Sequence, residues 1–311
     1  MNEKSLQYCF GPVQSRRLGV SLGVDIVPHK TCTLNCVYCE CGKTTVLTDE
    51  IKEYVPTEEV KNELDALLCS NPKLDVITFS GSGEPTLHSG IGTIIDHLKS
   101  NYRYKIAVLT NGTLLWKPEV RERLYNADIV IPSLDAATEH AFKKICRPFK
   151  QLSLPKIIDG IALFGKEFKG LFILEIFIVP GINDVPSELE ALAKVAHSIQ
   201  PHRIQLNYLD RPAAEEWVKR ASIETLKQYA RIFAPIPVDI PGTPEYRLLE
   251  LQLPLKEMIL STIERRPSTV DDLAYSLGKD NFEVQQILEE MVKQGVVEFF
   301  DEARGRFYKK I

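Results

Sequence analysis

The chain has 311 residues, of which 44% are hydrophobic and 26% are charged. This length allows about two domains with their own cores, and the composition excludes disordered, collagen-like and coiled-coil proteins. Because 38 Lys and Arg residues face 42 Asp and Glu residues, the net charge of −4 excludes nucleic-acid binding by bulk positive charge. The first residues have no apolar signal core, and the most apolar run, residues 171–179, is too short to span a membrane. We therefore expect a cytoplasmic protein without a membrane partner.

Short apolar stretches rich in β-branched residues alternate with stretches of helical spacing from about residue 22 to residue 240. The predicted strands are residues 22–27, 76–79, 106–109, 129–131, 171–179 and 204–206. Strands that alternate with helices indicate βαβ units and a parallel sheet. The sequence therefore predicts an α/β fold of about six βα units, arranged as a barrel, a partial barrel or an open sheet. In each arrangement, polar groups that follow the strands meet at the carboxyl edge of the sheet.

The C-terminal segment follows a different pattern. Predicted helices at residues 259–263, from Ser268 or Thr269 onward, and at 281–294 are followed by a predicted hairpin. This order is typical of a winged helix. We therefore assign residues 1–240 to the α/β domain, 241–254 to a linker and 255–311 to a small winged-helix-like domain.

The charge of this segment limits what it can bind. Residues 251–311 carry 9 basic and 11 acidic residues, whereas contacts to phosphate need an excess of positive charge. We therefore do not expect it to bind duplex DNA. The hairpin is locally basic, which leaves open a contact with RNA or with an acidic protein.

The seven cysteines all lie in the first half of the chain, and four of them fall within ten residues. An odd, clustered set is not a disulfide framework and indicates metal or redox chemistry in a reducing compartment. Cys32, Cys36 and Cys39 have C-x3-C-x2-C spacing, which suits an iron–sulfur cluster with one iron open to another ligand. A structural zinc site needs a fourth ligand, which Cys41 would supply. Cys69 stands beside two leucines on a predicted helix and is expected in the core.

Four further motifs each follow a predicted strand. They are Ser82-Gly83-Glu84-Pro85, Thr110-Asn111-Gly112, Ser133-Leu134-Asp135 and Val179-Pro180-Gly181-Ile182. Together with the cysteine motif, and with Tyr38 just before its third cysteine, they make residues 10–240 resemble the radical SAM superfamily. A narrower resemblance is to the wyosine-synthase-like branch of Fe–S oxidoreductases. It is carried by residues 11–19 (GPVQSRRLG), by Gln205-Leu206-Asn207, and by Arg211-Pro212 with Glu216-Trp217.

The resemblance implies both a fold and a chemistry. It implies a partial TIM barrel in which Cys32, Cys36 and Cys39 bind a 4Fe–4S cluster, with S-adenosylmethionine (SAM) chelating the open iron. The reduced cluster is expected to cleave SAM to a 5′-deoxyadenosyl radical, which abstracts hydrogen from a substrate. The electrons are expected from a donor such as flavodoxin or ferredoxin. The expected SAM contacts are Tyr38, Gly83, Glu84, Pro85, Asn111, Ser133, Asp135, Arg147, Val179 and Ile182.

The substrate is less constrained by the sequence. The candidate substrate contacts are Arg16, Arg17, Glu175, Asn207 and Arg211. Glu175 stands in an otherwise apolar predicted strand, where a buried carboxylate needs a partner. The branch resemblance favours modification of RNA, including tRNA. Two alternatives remain: modification of a protein or peptide, such as activation of a glycyl-radical enzyme, and a non-enzymatic iron–sulfur or zinc redox-sensing regulator.

Overall fold

One large, mostly parallel sheet lies at the centre of the fold in the computed structural model, which describes residues 6–242, 254–302 and 304–311. The strands are β1 (Cys9–Ser15), β2 (Gly19–Val24), β3 (Thr31–Cys32), β4 (Val46–Leu47), β5 (Val76–Phe79), β6 (Lys105–Thr110), β7 (Ile129–Pro132), β8 (Leu171–Phe177), β9 (Arg203–Asn207), β10 (Val238–Asp239), β11 (Val297–Glu302) and β12 (Gly305–Lys310). The large sheet has the order β1-β2-β5-β6-β7-β8-β9-β10. Strand β1 is antiparallel to β2, and the pairs from β2 to β10 are parallel. The six predicted strands are confirmed as β2 and β5 to β9, and the α/β class with them.

Helices connect these strands in the order expected of βαβ units. They are α1 (Thr57–Leu68), α2 (Ile91–Asn101), α3 (Pro118–Glu122), α4 (Glu139–Ile145), α5 (Leu154–Glu167), α6 (Pro186–Ile199), α7 (Ile223–Ala230), α8 (Leu255–Arg265), α9 (Val270–Leu277) and α10 (Asn281–Lys293). Acidic residues in the first turn of α1, Glu58 and Glu59, complement the positive end of the helix dipole. The same helix buries Val60 and Leu64, which lie four residues apart and therefore share one face.

The two faces of the sheet have different neighbours. In β6, Ile106 and Val108 belong to the large hydrophobic core that includes the helices. Ala107, between them, belongs to a separate small cluster with residues of β7 and β8. Successive side chains of a strand point to opposite faces, so this alternation separates a helix-covered face from the inner face of a partial barrel.

The described residues from 254 to 311, which we call the C-terminal module, form their own core. Residues of α8, α9 and α10 pack together there, and Val13 of β1 joins them. Helix α9 begins with a capping box in which Thr269 and Asp272 exchange side-chain and backbone hydrogen bonds. The three predicted helices and the hairpin β11–β12 are confirmed. The winged-helix assignment and the domain boundaries stay predictions, since residues 243–253 of the predicted linker 241–254 lie outside the described residues.

The prediction that Cys69 lies in the core is wrong. Cys69 is the C-cap residue of α1 and is exposed, and its thiol points back to the carbonyl of Ala66 at 3.1 Å. The leucines before it are buried because they lie on the inward face of α1, and the chain leaves that face one residue later. Within the described residues, none of the helices has the length and apolar character needed to cross a membrane.

Candidate active site

The cysteine motif lies on the long connection between β2 and α1. Cys32 is in β3, and Cys36 and Cys39 follow in a loop, with all three thiols partly buried. Backbone hydrogen bonds tie this loop to the end of α4: the amide of Val37 donates to Ile145 and the amide of Asn35 donates to Cys146, each over 2.9 Å. The loop is therefore fixed against the body of the sheet at the carboxyl end of the strands.

Several hydrogen-bond donors point at the sulfur atoms of this loop. The ammonium of Lys30 donates to Sγ of Cys39 over 3.0 Å, and the amide of Asn111 donates to Sγ of Cys32 over 3.4 Å. A hydrogen bond from the Cys41 thiol, together with Lys30, lowers the pKa of Cys39 to about 5, whereas burial raises the pKa of Cys32 to about 12. Donors of this kind stabilise thiolate ligands and tune the metal that they hold. The donor set thus fits a thiolate-bound iron–sulfur cluster.

The spacing of the thiols also bears on the kind of metal group. Among the described residues, no three His, Cys, Asp or Glu side chains are close enough together to hold a single metal ion. A 4Fe–4S cluster takes one thiolate at each iron, so its cysteines stand farther apart than the ligands of one ion.

Glu84 joins the carboxyl ends of β5 and β6. Its buried carboxylate accepts hydrogen bonds from the hydroxyls of Thr86 and Thr110, both at 2.6 Å, and from the backbone amides of Thr86 and Asn111 at 3.0 and 2.7 Å. Burial raises the pKa of Glu84 above its ordinary value, and these four donors oppose that shift. Glu84 thereby fixes the position of Asn111, which in turn holds Cys32.

Gly83 lies where the strand-end motif touches the cysteine loop. A Cβ atom on Gly83 would stand 2.3 Å from the carbonyl oxygen of Thr31, which is closer than real contacts allow. The amide of Glu84 donates to that same carbonyl over 3.0 Å, and Pro85 begins a buried 3-10 turn. The glycine is thus explained by close backbone packing beneath the cysteines, and its expected contact with SAM stays a prediction.

Four of the expected SAM contacts line one recess: Tyr38, Asn111, Ser133 and Asp135. The Tyr38 hydroxyl donates to the carboxylate of Asp135, and the Tyr38 ring stacks on Phe177 with centroids 3.9 Å apart. Burial raises the pKa of Asp135 to about 7, while the Tyr38 hydroxyl and the Phe177 amide, which donates over 2.8 Å, oppose the shift. The recess has a volume of about 10 Å³, and the two hydrogen-bonded side chains of Tyr38 and Asp135 both line it.

The other expected SAM contacts are not part of this recess. Arg147 pairs with Glu215, with Nη1 and Oε1 2.6 Å apart. Val179 and Ile182 are buried in the turn after β8, which Asn183 holds by accepting a hydrogen bond from the Val179 amide over 2.7 Å. Their contacts with SAM stay predictions.

The candidate substrate residues fall into two neighbouring clusters. In the first, Glu175 forms an ion pair with Arg17 and accepts a hydrogen bond from Asn207 over 3.3 Å, so the carboxylate in the apolar strand has the partners that it needs. In the second, Arg16 and Arg211 both face Asp210, at 3.6 and 3.7 Å.

A cavity of about 520 Å³ lies between the inner face of the sheet and the C-terminal module. Its wall includes Ser21 of β2, Thr78 of β5, and Cys41 and Gly81 beside the cysteine loop. Among the described residues, seven arginines and three aspartates line it. They are Arg16, Arg17, Arg211, Arg220, Arg265, Arg266 and Arg304, with Asp210, Asp271 and Asp272. The cavity therefore extends from an arginine-lined chamber to Cys41, which stands two residues after the last cysteine of the motif.

The comparison with known proteins decides the family. A model described as the radical SAM superfamily matches residues 26–196, which is more than half of the chain. The chain belongs to the radical SAM superfamily. As a radical SAM protein it is an enzyme, it binds a 4Fe–4S cluster and SAM, and it needs an electron donor.

Curated relatives match most of this chain. The GTPase Obg of Brachyspira hyodysenteriae is 37% identical over 291 residues, which are 93% of this chain but 43% of that protein. The UPF0026 protein MJ1312 of Methanocaldococcus jannaschii is 31% identical over 292 residues, which are 92% of this chain and 90% of that protein. The chain thus spans less than half of the first relative and nearly all of the second.

A solved structure gives the same fold. A radical SAM methyltransferase from Sphaerobacter thermophilus superposes with a TM-score of 0.57 at 18% identity, over 71% of this chain and 65% of that chain. At this identity the likeness concerns the fold alone, and it supports the partial barrel.

Several residues at this radical SAM site were not found from the sequence. Lys30 stands two residues before Cys32, and only its contact with Cys39 reveals a role. Glu40 directly follows Cys39 and pairs with Arg211 at 3.4 Å. Burial alone would raise the pKa of Glu40, but Arg211, Arg266 and the backbone amide of Asp210 together lower it. Arg265 and Arg266 belong to the C-terminal module and line the cavity, and their adjacency in the sequence is the signal that could have marked them.

Proposed function

We propose that this radical SAM enzyme abstracts a hydrogen atom from a nucleotide of RNA, with Cys32, Cys36 and Cys39 as the cluster ligands. The observation that carries the proposal is the arginine-lined cavity that reaches Cys41, two residues after the motif, and Gly81 in the loop after β5. Its volume falls within the range of about 300–1,000 Å³ that is typical of small-molecule sites. That is room for one nucleotide, which enzymes that modify bases take out of the stack and into a pocket.

The charge of the cavity favours RNA over a peptide. Seven arginines and three aspartates line its described wall. Three of these arginines, Arg17, Arg211 and Arg265, also pair with Glu175, Glu40 and Asp25, so an excess of one positive charge remains in a chain whose net charge is −4. Nucleic-acid affinity depends mainly on phosphate contacts of this kind, which a neutral peptide does not offer. A protein substrate, as in activation of a glycyl-radical enzyme, is the contrary outcome of the test below.

The residues around the cysteines would hold and tune the two cofactors. The cluster, when bound, supplies the one-electron reduction that radical SAM chemistry needs. Lys30 and Asn111 would orient the ligand thiols through the hydrogen bonds described above. Tyr38 and Asp135 would give up their mutual hydrogen bond as SAM enters the recess between them.

The remaining expected contacts complete this proposal. Gly83, Glu84 and Pro85 would shape the edge of the SAM site, Ser133 would hydrogen-bond the ribose with Asp135, and Val179 and Ile182 would flank the adenine. Arg147 would reach the SAM carboxylate once released from Glu215. Arg16, Arg17, Glu175, Asn207 and Arg211 would contact the substrate.

We also propose the assignments that concern the rest of the molecule. The C-terminal module would be a winged helix, the protein would act in the cytoplasm, and a flavodoxin or ferredoxin would supply the electrons. A non-enzymatic sensor is not proposed, because the radical SAM family consists of enzymes.

Isotope transfer tests the substrate directly. The anaerobically reconstituted enzyme is reduced with dithionite and incubated with SAM and either deuterated total RNA or deuterated cellular peptides, and deuterium in 5′-deoxyadenosine is measured by mass spectrometry. We expect deuterium from RNA only, and none with Cys36→Ala, while Cys69→Ala behaves as wild type because its thiol is exposed and remote. Deuterium from peptides only would replace RNA by a peptide substrate.

A further inference from the structure

Two arginines from different domains face each other across the cavity without a full set of partners. Arg211 follows β9 in the barrel, and Arg266 is the C-cap residue of α8 in the C-terminal module. The charge of Arg211, followed by burial, lowers the pKa of Arg266 to about 10. An arginine keeps its charge at neutral pH, so the two guanidinium groups repel each other as the structure stands.

Carboxylates satisfy these arginines only in part. Arg211 has Glu40 at 3.4 Å, and its buried Nε lies 3.7 Å from a carboxylate oxygen of Asp272. That distance is too long for a hydrogen bond, so this N–H has no hydrogen-bond partner among the described residues. Nη1 of Arg16, also buried, lacks one in the same part of the structure. Arg266 forms no ion pair with any residue that the structure describes. Buried donors without acceptors are costly, and an anionic ligand would supply the acceptors.

One carboxylate is shared by an unusual number of cations. Asp210 has four guanidinium groups within 4.0 Å, at 3.6, 3.7, 3.8 and 3.0 Å from Arg16, Arg211, Arg220 and Arg304 respectively. Arg304 also pairs with Asp272. Glu40 and Asp272 share this load, because Glu40 pairs with Arg211 and Asp272 pairs with Arg211 and Arg304. These three carboxylates face these four guanidinium groups and that of Arg266, so positive charge remains in excess beside Arg16 and Arg211.

We propose that Arg16 and Arg211 of the barrel and Arg266 of the C-terminal module form a phosphate-binding subsite in this cavity. Guanidinium groups bind phosphate oxygens through paired N–H donors, and a phosphate offers enough oxygens for three of them. A carboxylate has two oxygens and one charge, so it suits this set less well. The C-terminal module therefore completes the substrate cavity, since one of the three arginines comes from it.

The proposal of this subsite depends on the proposed function in one respect, namely that the substrate binds in this cavity. The phosphate group can belong to an RNA strand or to a small phosphorylated molecule, and the chemistry of recognition is the same. Binding requires no electron donor, so it is measured apart from SAM cleavage. Failure of binding with intact SAM cleavage overturns the subsite alone, and failure of SAM cleavage with intact binding overturns the proposed function alone.

Equilibrium binding at constant ionic strength tests the subsite. The reconstituted full chain, saturated with SAM, is titrated into a fluorescently labelled single-stranded RNA oligonucleotide, and inorganic pyrophosphate is used as a competitor and, by calorimetry, as a ligand. We expect Arg266→Gln to weaken binding about 10-fold or more, as loss of a charge-assisted hydrogen bond predicts. Arg266→Lys keeps the positive charge but loses the planar guanidinium group with its paired donors. Its affinity should therefore lie between that of wild type and that of Arg266→Gln.

Arg306→Gln is the matched control, because it removes a positive charge from the same module. Arg306 pairs with Asp301 at 2.9 Å on the hairpin and does not line the cavity. We expect it to bind within twofold of wild type. If the RNA oligonucleotide binds and pyrophosphate displaces it, the subsite binds a phosphate of an RNA strand. If pyrophosphate binds and the RNA oligonucleotide does not, the subsite binds a small phosphorylated molecule.

Four results overturn the subsite. The first is that neither probe binds, and the second is that Arg266→Gln binds as well as wild type. The third is that Arg306→Gln loses as much affinity as Arg266→Gln, which would indicate a diffuse charge effect. If SAM competes with pyrophosphate, the arginines belong to the SAM carboxylate and the subsite is likewise overturned. A thermal melt of each variant confirms that it is folded.

Discussion

Lys30 donates a hydrogen bond from its ammonium group to Sγ of Cys39 over 3.0 Å. Lys30 is 3% exposed, so its charge acts on the cysteine loop with little screening by water. It is followed by β3, which carries Cys32, and thus stands at the entry of the cysteine loop. A buried cation at this point favours negative charge on the sulfur that it contacts.

We expect Lys30→Met to lower the reduction potential of the bound cluster. Loss of one charge-assisted hydrogen bond corresponds to about 1.4 kcal/mol, or about 60 mV for one electron. Potentiometric titration followed by electron paramagnetic resonance measures the shift. Lys30→Arg keeps the positive charge and should shift the potential less. An unchanged potential in Lys30→Met would show that this contact does not act on the cluster.

The cysteine assignments predict which thiols are needed for the cluster. Cys32→Ala, Cys36→Ala and Cys39→Ala should each lose most of the iron and acid-labile sulfide after anaerobic reconstitution, because each removes one of three ligands. Cys41→Ala should keep the cluster, and the exposed Cys69 provides a matched control. Loss of iron in Cys41→Ala would make Cys41 a ligand and would return the zinc alternative.

Removal of the Glu84 carboxylate should destabilise the fold. Glu84→Ala leaves four buried donors from Thr86, Thr110 and Asn111 without an acceptor, at an expected loss of about 3 kcal/mol or more. Urea denaturation of the cluster-free protein measures it. In the control Glu58→Ala, the lost carboxylate is exposed and pairs with Lys61 at 2.9 Å, so the change should stay below about 1 kcal/mol. Equal losses in the two variants would contradict the role of Glu84.

The raised pKa of Asp135 predicts a specific pH dependence. Burial raises the pKa of Asp135 to about 7 in the folded chain, whereas an unfolded Asp titrates near about 3.9. Between these values the folded chain holds a proton that the unfolded chain has released, so stability falls as the pH rises toward about 7. Well above pH 7, Asp135 is ionised in both the folded and the unfolded chain, and its contribution to stability no longer changes with pH.

Asp135→Asn removes this titration. Between pH 5.5 and pH 8, the free energy of unfolding of the cluster-free, SAM-free wild type should fall by about 2 kcal/mol relative to Asp135→Asn. Urea denaturation at the two pH values measures the difference. Parallel pH profiles in the two proteins would show that Asp135 is ionised throughout, held by its hydrogen bonds from Tyr38 and Phe177.

Strands that are apolar along their length could be predicted from the sequence, whereas a strand that depends on its neighbours in the fold could not. The alternation of apolar runs identified β2 and β5 to β9, because buried parallel strands are locally apolar on both faces. Strand β1 was missed because residues 9–15 mix Gly, Pro and polar residues and carry no apolar run. Its identity as a strand depends on pairing with β2 and on packing against α8 and α9, which local sequence does not encode.

The candidate site shows the same limit. The strand-end motifs were found by their position, yet the bonds that Glu84 makes to Thr110 and Asn111 depend on two strands being neighbours in the sheet. Arg266 is far from the cysteine motif in sequence, and only the docking of the C-terminal module brings it to the cavity. The C-terminal module has a net negative charge, yet it contributes Arg265, Arg266 and Arg304 to the wall of the cavity. The total charge of the segment therefore did not predict this surface.

The central claim is that Cys32, Cys36 and Cys39 hold a cluster at which this enzyme cleaves SAM. The direct measurement is 5′-deoxyadenosine, quantified by liquid chromatography after the reconstituted protein is incubated with dithionite and SAM under anaerobic conditions. We predict that wild type and Cys69→Ala form 5′-deoxyadenosine and that Cys36→Ala forms none. Wild-type protein that carries its full complement of iron and sulfide but forms no 5′-deoxyadenosine would contradict the account, as would undiminished formation by Cys36→Ala.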